Sequence, residues 1–291
     1  MEIRYTDKVR MDLRMLDIAV VIFSIIMCLW RTATYFTCYD PTTGLFERSL
    51  VHFTLPNAIT AVVSVAAIVA ILRMAQRPTR GWTPKQDEAG GFSLFLACAC
   101  LMLAALGRLM MMVNGQMTFD LSNLLLCVSL FIMGAFSMQA SGYSRGKADA
   151  KGMGTLSLAS VVCVLVCLLS SFISSTEMAV VENYMYHLLV LCVAALYFLA
   201  ISRSLMIQAH MGIALWYGRL LLYFALMEYV PRGLYALLHG SVLSGGVDVV
   251  IAAGLLLMLF GVTRCTAIEY LSDEELEAEE AAGEAQENEE E

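Results

Sequence analysis

Ionisable side chains inside long apolar stretches are the first candidates for chemistry in this sequence. The strongest are Glu228 and Arg232, which lie four residues apart in the order that favours an ion pair within a helix. An ionised group at the centre of a bilayer raises the free energy of insertion by roughly 2.5 to 3.5 kcal/mol, so such residues usually serve a function. We therefore predict a ligand-binding centre at Glu228 and Arg232, with Arg108 and His187 contributing at its rim.

Pro231 lies between the two members of this pair. Proline removes a backbone hydrogen bond and clashes with the carbonyl four residues earlier, so a kink should expose a carbonyl near Ala225 or its neighbours. Many transporters place a charged pair beside such a break, and a static salt bridge at a proline kink is an equal alternative. If the pair binds a ligand, Glu228→Gln should abolish ligand-dependent activity and leave the protein folded.

Several ionisable residues, including Arg108 and His187, also have simpler interpretations. Arg31, Arg108 and Asp248 fall near the outer ends of apolar stretches, where anchoring at the membrane surface is expected. His187 could be a neutral, hydrogen-bonded imidazole. A weak internal echo relates the segment after Arg108 to the segment after Arg232, which would suit two parallel four-helix halves that hold an anionic group between them.

Signatures of catalysis are absent from the sequence. It contains no Walker A loop, no G-x-G-x-x-G, no G-x-S-x-G and no H-E-x-x-H motif. Nine cysteines occur without C-x-x-C or Cys/His ligand spacing, and most of them fall in apolar stretches where cysteine behaves as a small hydrophobic residue. We therefore predict that the protein is not an enzyme and has neither a metal site nor a cofactor.

The elements that must position these residues are membrane-spanning helices. The chain is 59% hydrophobic and 15% charged, with a mean hydropathy of +0.72. An average soluble domain is about a quarter charged. The apolar stretches repeatedly approach the roughly 20 residues that cross a bilayer as a helix. The expected fold is therefore an all-α, polytopic transmembrane bundle in contact with the lipid bilayer.

Eight spans are predicted along the chain. They cover Ile18 to Phe36, Leu55 to Leu72, Phe92 to Val113, Leu121 to Gly142, Met153 to Ser175, Asn183 to Ser202, a span within Gly212 to His239, and Gly246 to Cys265. For the seventh, a start at Leu220 is preferred because Trp216, Tyr217 and Arg219 then anchor it at the membrane surface. In the fifth, Ser160, Cys163, Cys167, Ser171 and Ser174 form a stripe of small side chains for close helix packing.

Basic residues alternate between the predicted loops, and 13 of the 18 fall on one side. The positive-inside rule then places both termini in the cytoplasm. We predict a basic cytoplasmic segment over 1–17, a transmembrane domain over 18–265, and a disordered acidic tail over 272–291. The tail carries 11 of the 26 acidic residues, so the net charge of −8 describes the tail rather than the membrane domain.

Two functions of different class agree with these features. The first is a permease-like protein of the plasma membrane that binds or transports a small solute or ion. The second is a non-catalytic regulatory, sensor or scaffold subunit, whose acidic tail recruits a cytoplasmic protein. Nothing in the sequence predicts binding to nucleic acid. The absence of N-x-S/T acceptors and of an N-terminal targeting segment suits a bacterial inner membrane.

Overall fold

The described residues of the protein form a bundle of eight helices. The structure is a computed structural model that describes residues 7–40, 45–46, 54–75, 79–177, 181–207 and 211–270. The helices are α1 (Asp7–Cys38), α2 (Leu55–Ala75), α3 (Glu88–Val113), α4 (Leu121–Tyr143), α5 (Ala150–Glu177), α6 (Val181–Ile207), α7 (Met211–Leu238) and α8 (Val242–Arg264). Four short strands accompany them: β1 (Tyr39–Asp40), β2 (Leu45–Phe46), β3 (Thr79–Pro84) and β4 (Thr266–Tyr270).

The helices confirm the predicted all-α membrane bundle. Each predicted span coincides with one helix, and seven of the eight helices are long and apolar enough to cross a bilayer. In α2 the apolar part whose side chains the structure describes continuously is Leu55–Ala66. α7 contains both placements considered for the seventh span in one continuous helix. The predicted acidic tail at 272–291 lies outside the described residues, and the cytoplasmic location of the termini stays a prediction.

Six helices form a closed ring. Each of α3 to α8 packs against its neighbours in sequence, and α8 returns to pack along α3. α1 and α2 lie outside this ring against α7. α5 packs closely along α6, whereas the described parts of α1 and α2 barely touch each other, so the two parallel halves suggested by the sequence echo are not present.

The helices alternate in direction along the chain. Ser171 near the end of α5 meets Ser122 at the start of α4, with their hydroxyl oxygens 3.0 Å apart. Tyr35 near the end of α1 lies beside Tyr235 near the end of α7. We call the end of the bundle that holds these residues the site end, and the opposite end, where α8 finishes, the tail end. At the tail end β3 pairs with β4 in antiparallel fashion, which ties the entrance of α3 to the exit of α8.

Capping residues and glycines define several helix boundaries. The carboxylates of Asp87 and Asp120 accept hydrogen bonds from backbone amides in the first turns of α3 and α4. At the other boundary, Gly115, Gly146 and Gly240 follow α3, α4 and α7 with positive φ angles. Glycine adopts this left-handed conformation readily and so ends each helix in a tight turn.

Small residues bring neighbouring helices into close contact. A Cβ atom on Gly261 of α8 would lie 2.5 Å from Leu94 Cγ and 2.9 Å from the carbonyl oxygen of Gly90 on α3. Between α5 and α6, the Ser157 hydroxyl donates to the Phe198 carbonyl at 2.6 Å. These contacts follow the general rule that membrane helices associate through small side chains and interhelical hydrogen bonds rather than hydrophobicity.

The predicted small-residue stripe of α5 is mostly confirmed. Ser160, Cys167 and Ser171 are buried and Cys163 is half-buried, while the side chain of Ser174 lies outside the described part. Cys38, two residues beyond the first predicted span, is the buried last residue of α1.

The interior of the ring is filled toward the tail end. Phe136 of α4 and Phe198 of α6 are fully buried and meet edge to face, with ring centroids 5.4 Å apart. Helical rise places each ring roughly 15 to 20 Å along its helix from the residues of that helix at the site end. These two aromatic rings therefore fill part of the ring interior away from the site end.

Candidate functional site

An ion-pair network of α7 and α8 forms the polar centre of the molecule. Arg232 Nη1 donates to Glu228 Oε1 at 2.7 Å, so the pairing expected from the four-residue spacing is present. The same guanidinium donates to both carboxylate oxygens of Asp248, from Nε at 2.7 Å and from Nη2 at 2.8 Å. Bidentate pairing of this kind is strong and fixes the orientation of both side chains.

Asp248 is the central residue that sequence reasoning missed. Surface anchoring was expected, but the residue is 4% exposed and lies between two arginines. It contacts Arg108 Nη2 of α3 at 3.5 Å as well as Arg232. The sequence does contain a signal for the position of Asp248. Arg232 precedes Gly240 by eight residues, and Asp248 follows Gly240 by eight residues. A helical hairpin that turns at Gly240 therefore places Arg232 and Asp248 at the same depth along the two helices.

Arg108 and Arg31 also turn into the protein instead of reaching a membrane surface. Arg108 is 5% exposed and Arg31 of α1 is 2% exposed. The guanidinium of Arg31 lies 4.6 Å from the ring centroid of Phe46 and 4.7 Å from that of Tyr186. Cation–π contacts of this kind stabilise a cation away from water. The expectation of surface anchoring was therefore wrong for these arginines.

A cavity of about 260 Å³ lies inside the ring next to this network. Three of the four predicted site residues, Arg108, His187 and Arg232, line it together with Asp248. Glu228, the fourth, is 2% exposed. It pairs with Arg232 but does not line the cavity. Further polar lining comes from Ser122, Asn123 and Ser244.

Two polar atoms of the cavity lining lack partners. Among the described residues, neither Arg108 Nε nor His187 Nδ1 has a hydrogen-bond partner, although both are buried. A buried donor without an acceptor is energetically unfavourable by about 1 to 3 kcal/mol. Arg108 and His187, which both line the cavity, therefore each retain an unsatisfied polar atom.

The charges around the cavity do not balance. Three arginines, the buried Arg31 and Arg108 and the half-buried Arg232, accompany two buried carboxylates, at 228 and 248. Asp248 is bound closely by Arg232, which leaves Arg108 with a single long contact at 3.5 Å. The described cluster thus has one more arginine than carboxylates, and of the two arginines that line the cavity Arg108 has the longer ion-pair contact.

One carbonyl group in the region before Pro231, that of Leu226, has a partner outside its own helix. The Cys28 thiol of α1 donates to the carbonyl oxygen of Leu226 at 3.4 Å. α7 continues through Pro231 to Leu238, and the contact with α1 covers the backbone there. This stretch of backbone therefore attaches α1 to the ring and does not line the cavity.

A second space of about 470 Å³ lies at the site end. It is lined by Gln116 and by residues 240–244 of the α7–α8 turn, and Ser244 lines both spaces. Phe136 and Phe198 lie in the opposite direction from the inner cavity.

No group of three or more metal-ligating His, Cys, Asp or Glu side chains occurs in the described part of the chain. Comparison with models of protein families, with curated proteins and with solved structures finds no match for this chain, so the site itself carries the functional argument.

Proposed function

We propose that this multi-pass membrane protein binds a small anionic solute in the cavity between α3, α4, α6, α7 and α8, as the binding step of a permease-like transporter. The observation that carries this proposal is the weak pairing of Arg108. This residue is buried, lines the cavity and has only one long ion-pair contact among the described residues. An anion there would complete the pairing of Arg108 and offset the excess charge.

The geometry favours a carboxylate or phosphate group over a halide ion. Arginine presents planar N–H donors that match two oxygens at once. His187 and Ser122 add side chains on other helices that could contact the remainder of a small solute. A cavity of about 260 Å³ limits the solute to a few non-hydrogen atoms beyond its charged group.

Thermal unfolding of the purified protein in detergent tests the proposal. The probes are acetate, succinate, glutamate, inorganic phosphate and chloride, each added as the sodium salt at constant ionic strength. A ligand that binds the folded state at 100 times its dissociation constant stabilises it by about 2.7 kcal/mol. We expect at least one carboxylate or phosphate to raise the unfolding temperature, and chloride to have no effect.

Arg108→Gln should remove this stabilisation, because the substitution deletes the guanidinium that the anion would complete. Loss of a charge-assisted hydrogen bond corresponds to about a tenfold or greater loss of affinity. The matched control is Arg145→Gln, since Arg145 is exposed and follows α4 at the tail end. Equal anion responses in the two variants would contradict the proposed site.

Transport is separable from binding by reconstitution. The anion that stabilises the protein is used as a radiolabelled substrate for proteoliposomes. Uptake that is lost in Arg108→Gln and kept in Arg145→Gln supports a transporter, whereas binding without uptake would leave a sensor of the same anion.

A further inference from the structure

A long apolar crevice runs along the outside of the ring at the tail end. α1 and α8 both pack near α7, but they do not pack along each other, so a gap of about 550 Å³ remains between them. Leu215, Gly218 and Leu222 of α7 form its floor, while Ile22 of α1 and Leu256 of α8 belong to its walls. Its lining is mostly hydrocarbon, as in sites that hold an apolar ligand.

The floor of the crevice is deep because Gly218 has no side chain. A Cβ atom at this position would lie 3.0 Å from Leu259 Cδ2 and 3.1 Å from Tyr197 Cε2. Tyr197 of α6 therefore reaches the crevice although it is 1% exposed. Its hydroxyl is buried and has no hydrogen-bond partner among the described residues.

Two arginines add positive charge to this apolar lining. Arg219 of α7 and Arg264 of α8 both belong to the crevice. Each guanidinium group lies near an aromatic ring. That of Arg219 is 4.7 Å from the Trp216 ring centroid, and that of Arg264 is 5.7 Å from the Phe260 ring centroid. Asp87 contacts Arg264 at 3.4 Å in a half-exposed ion pair.

We propose that the crevice binds one phospholipid with an anionic headgroup. An acyl chain would lie on the α7 floor between α1 and α8, and the phosphate would lie at Arg219 and Arg264. The occupant is a membrane lipid rather than a soluble phosphate, because the long apolar crevice contributes to binding only when an acyl chain fills it. Basic pockets between membrane helices bind anionic headgroups in this way.

The experiment measures lipid binding to the full-length protein after delipidation in detergent. The probes are 1-palmitoyl-2-oleoyl phosphatidylglycerol and the phosphatidylcholine with the same two chains, and native mass spectrometry counts bound lipid. We expect one phosphatidylglycerol to bind in preference to phosphatidylcholine. Arg219→Gln and Arg264→Gln should each weaken this binding about fivefold.

Arg203→Gln is the matched charge control, because Arg203 is an exposed arginine of α6 near the same end of the bundle. Leu256→Trp should fill the crevice and reduce binding of the lipid, whereas Leu196→Trp should not. Leu256 and Leu196 are similarly exposed, at 40% and 38%, but Leu196 lies outside the crevice. This tryptophan pair decides the question even if an arginine variant is unstable.

Equal binding of the two lipids would overturn the proposal, as would an equal loss in Arg203→Gln or in Leu196→Trp. Inorganic phosphate is added as a competitor. Displacement of phosphatidylglycerol by millimolar phosphate would show that the site recognises the phosphate group alone, contrary to the proposal.

Discussion

At the residue scale, the organising feature is a carboxylate shared by arginines from two other helices. Asp248 pairs in bidentate fashion with Arg232 and is also the acidic contact of Arg108. Removing one partner from a buried ion pair is unfavourable, because it leaves the other charge uncompensated. The stability of the cluster should therefore depend more on Asp248 than on Glu228, which contacts Arg232 once.

We expect Asp248→Asn to destabilise the protein by about 3 to 5 kcal/mol, the usual range for breaking a buried pair. Glu228→Gln should lower stability by about 1 kcal/mol, since the amide oxygen still accepts a hydrogen bond from Arg232. Thermal unfolding of both variants in the same detergent measures the difference. Equal destabilisation would show that Asp248 does not hold the cluster together.

The structure also changes the ligand response expected for Glu228→Gln. From the sequence, Glu228 was expected to contact a ligand, so that the substitution would abolish the response. Because Glu228 lies behind Arg232 and not in the cavity, we now expect Glu228→Gln to keep anion binding, and the added positive charge to strengthen it. The anion-dependent unfolding temperature measures this, and loss of the response would restore the first interpretation.

At the element scale, the close approach of α7 and α8 holds this cluster together. A Cβ atom on Gly245 would lie 2.5 Å from the carbonyl oxygen of Gly233 and 2.7 Å from the backbone nitrogen of Leu237. Both neighbours are backbone atoms, so neither can rotate out of the way. This contact lies one residue from Arg232 and three from Asp248, and it fixes the separation of the helices that carry them.

The neighbouring glycines of α8 provide a matched test. Gly245→Ala should destabilise the protein by about 1 to 3 kcal/mol, because the methyl group forces the helices apart. Gly246→Ala adds the same methyl group where nothing lies within 4 Å, and should be neutral or stabilise the helix by up to about 1 kcal/mol. We also expect Gly245→Ala, and not Gly246→Ala, to weaken anion binding. Similar unfolding temperatures for the two variants would contradict the close approach.

At the scale of the whole molecule, alternation of the eight helices brings the start of α1 and the end of α8 to the same end of the bundle. The pairing of β3 with β4 agrees with this, because it joins the segment before α3 to the segment after α8. If the positive-inside rule applies, this end faces the cytoplasm. The candidate anion site would then open to the opposite side.

Reporter fusions test this topology. Green fluorescent protein attached at either end of the chain should be fluorescent in a bacterial host, and alkaline phosphatase attached at either end should be inactive. An active phosphatase at one end combined with fluorescence at the other would contradict the alternation. An active phosphatase at both ends would instead keep the alternation and reverse the orientation.

The local features of this protein followed from sequence alone. The lengths of the apolar stretches predicted all eight helices, because a backbone in lipid must satisfy its own hydrogen bonds and needs roughly 20 residues to cross. The pairing of Glu228 with Arg232 was predictable as well, since residues four apart lie on one face of a helix. Both features depend on neighbours within one helix.

Tertiary structure alone decided which helices meet and which polar side chains share a cavity. Lipid and helix interiors are equally apolar, so hydrophobicity does not specify how a membrane helix is rotated. Contacts such as Gly233 with Gly245, or Ser157 with Phe198, set those rotations instead. These contacts orient Arg108 and Asp248 inward, toward Arg232. Because the three residues lie on three different helices, the spacing of residues within one helix does not predict that they meet.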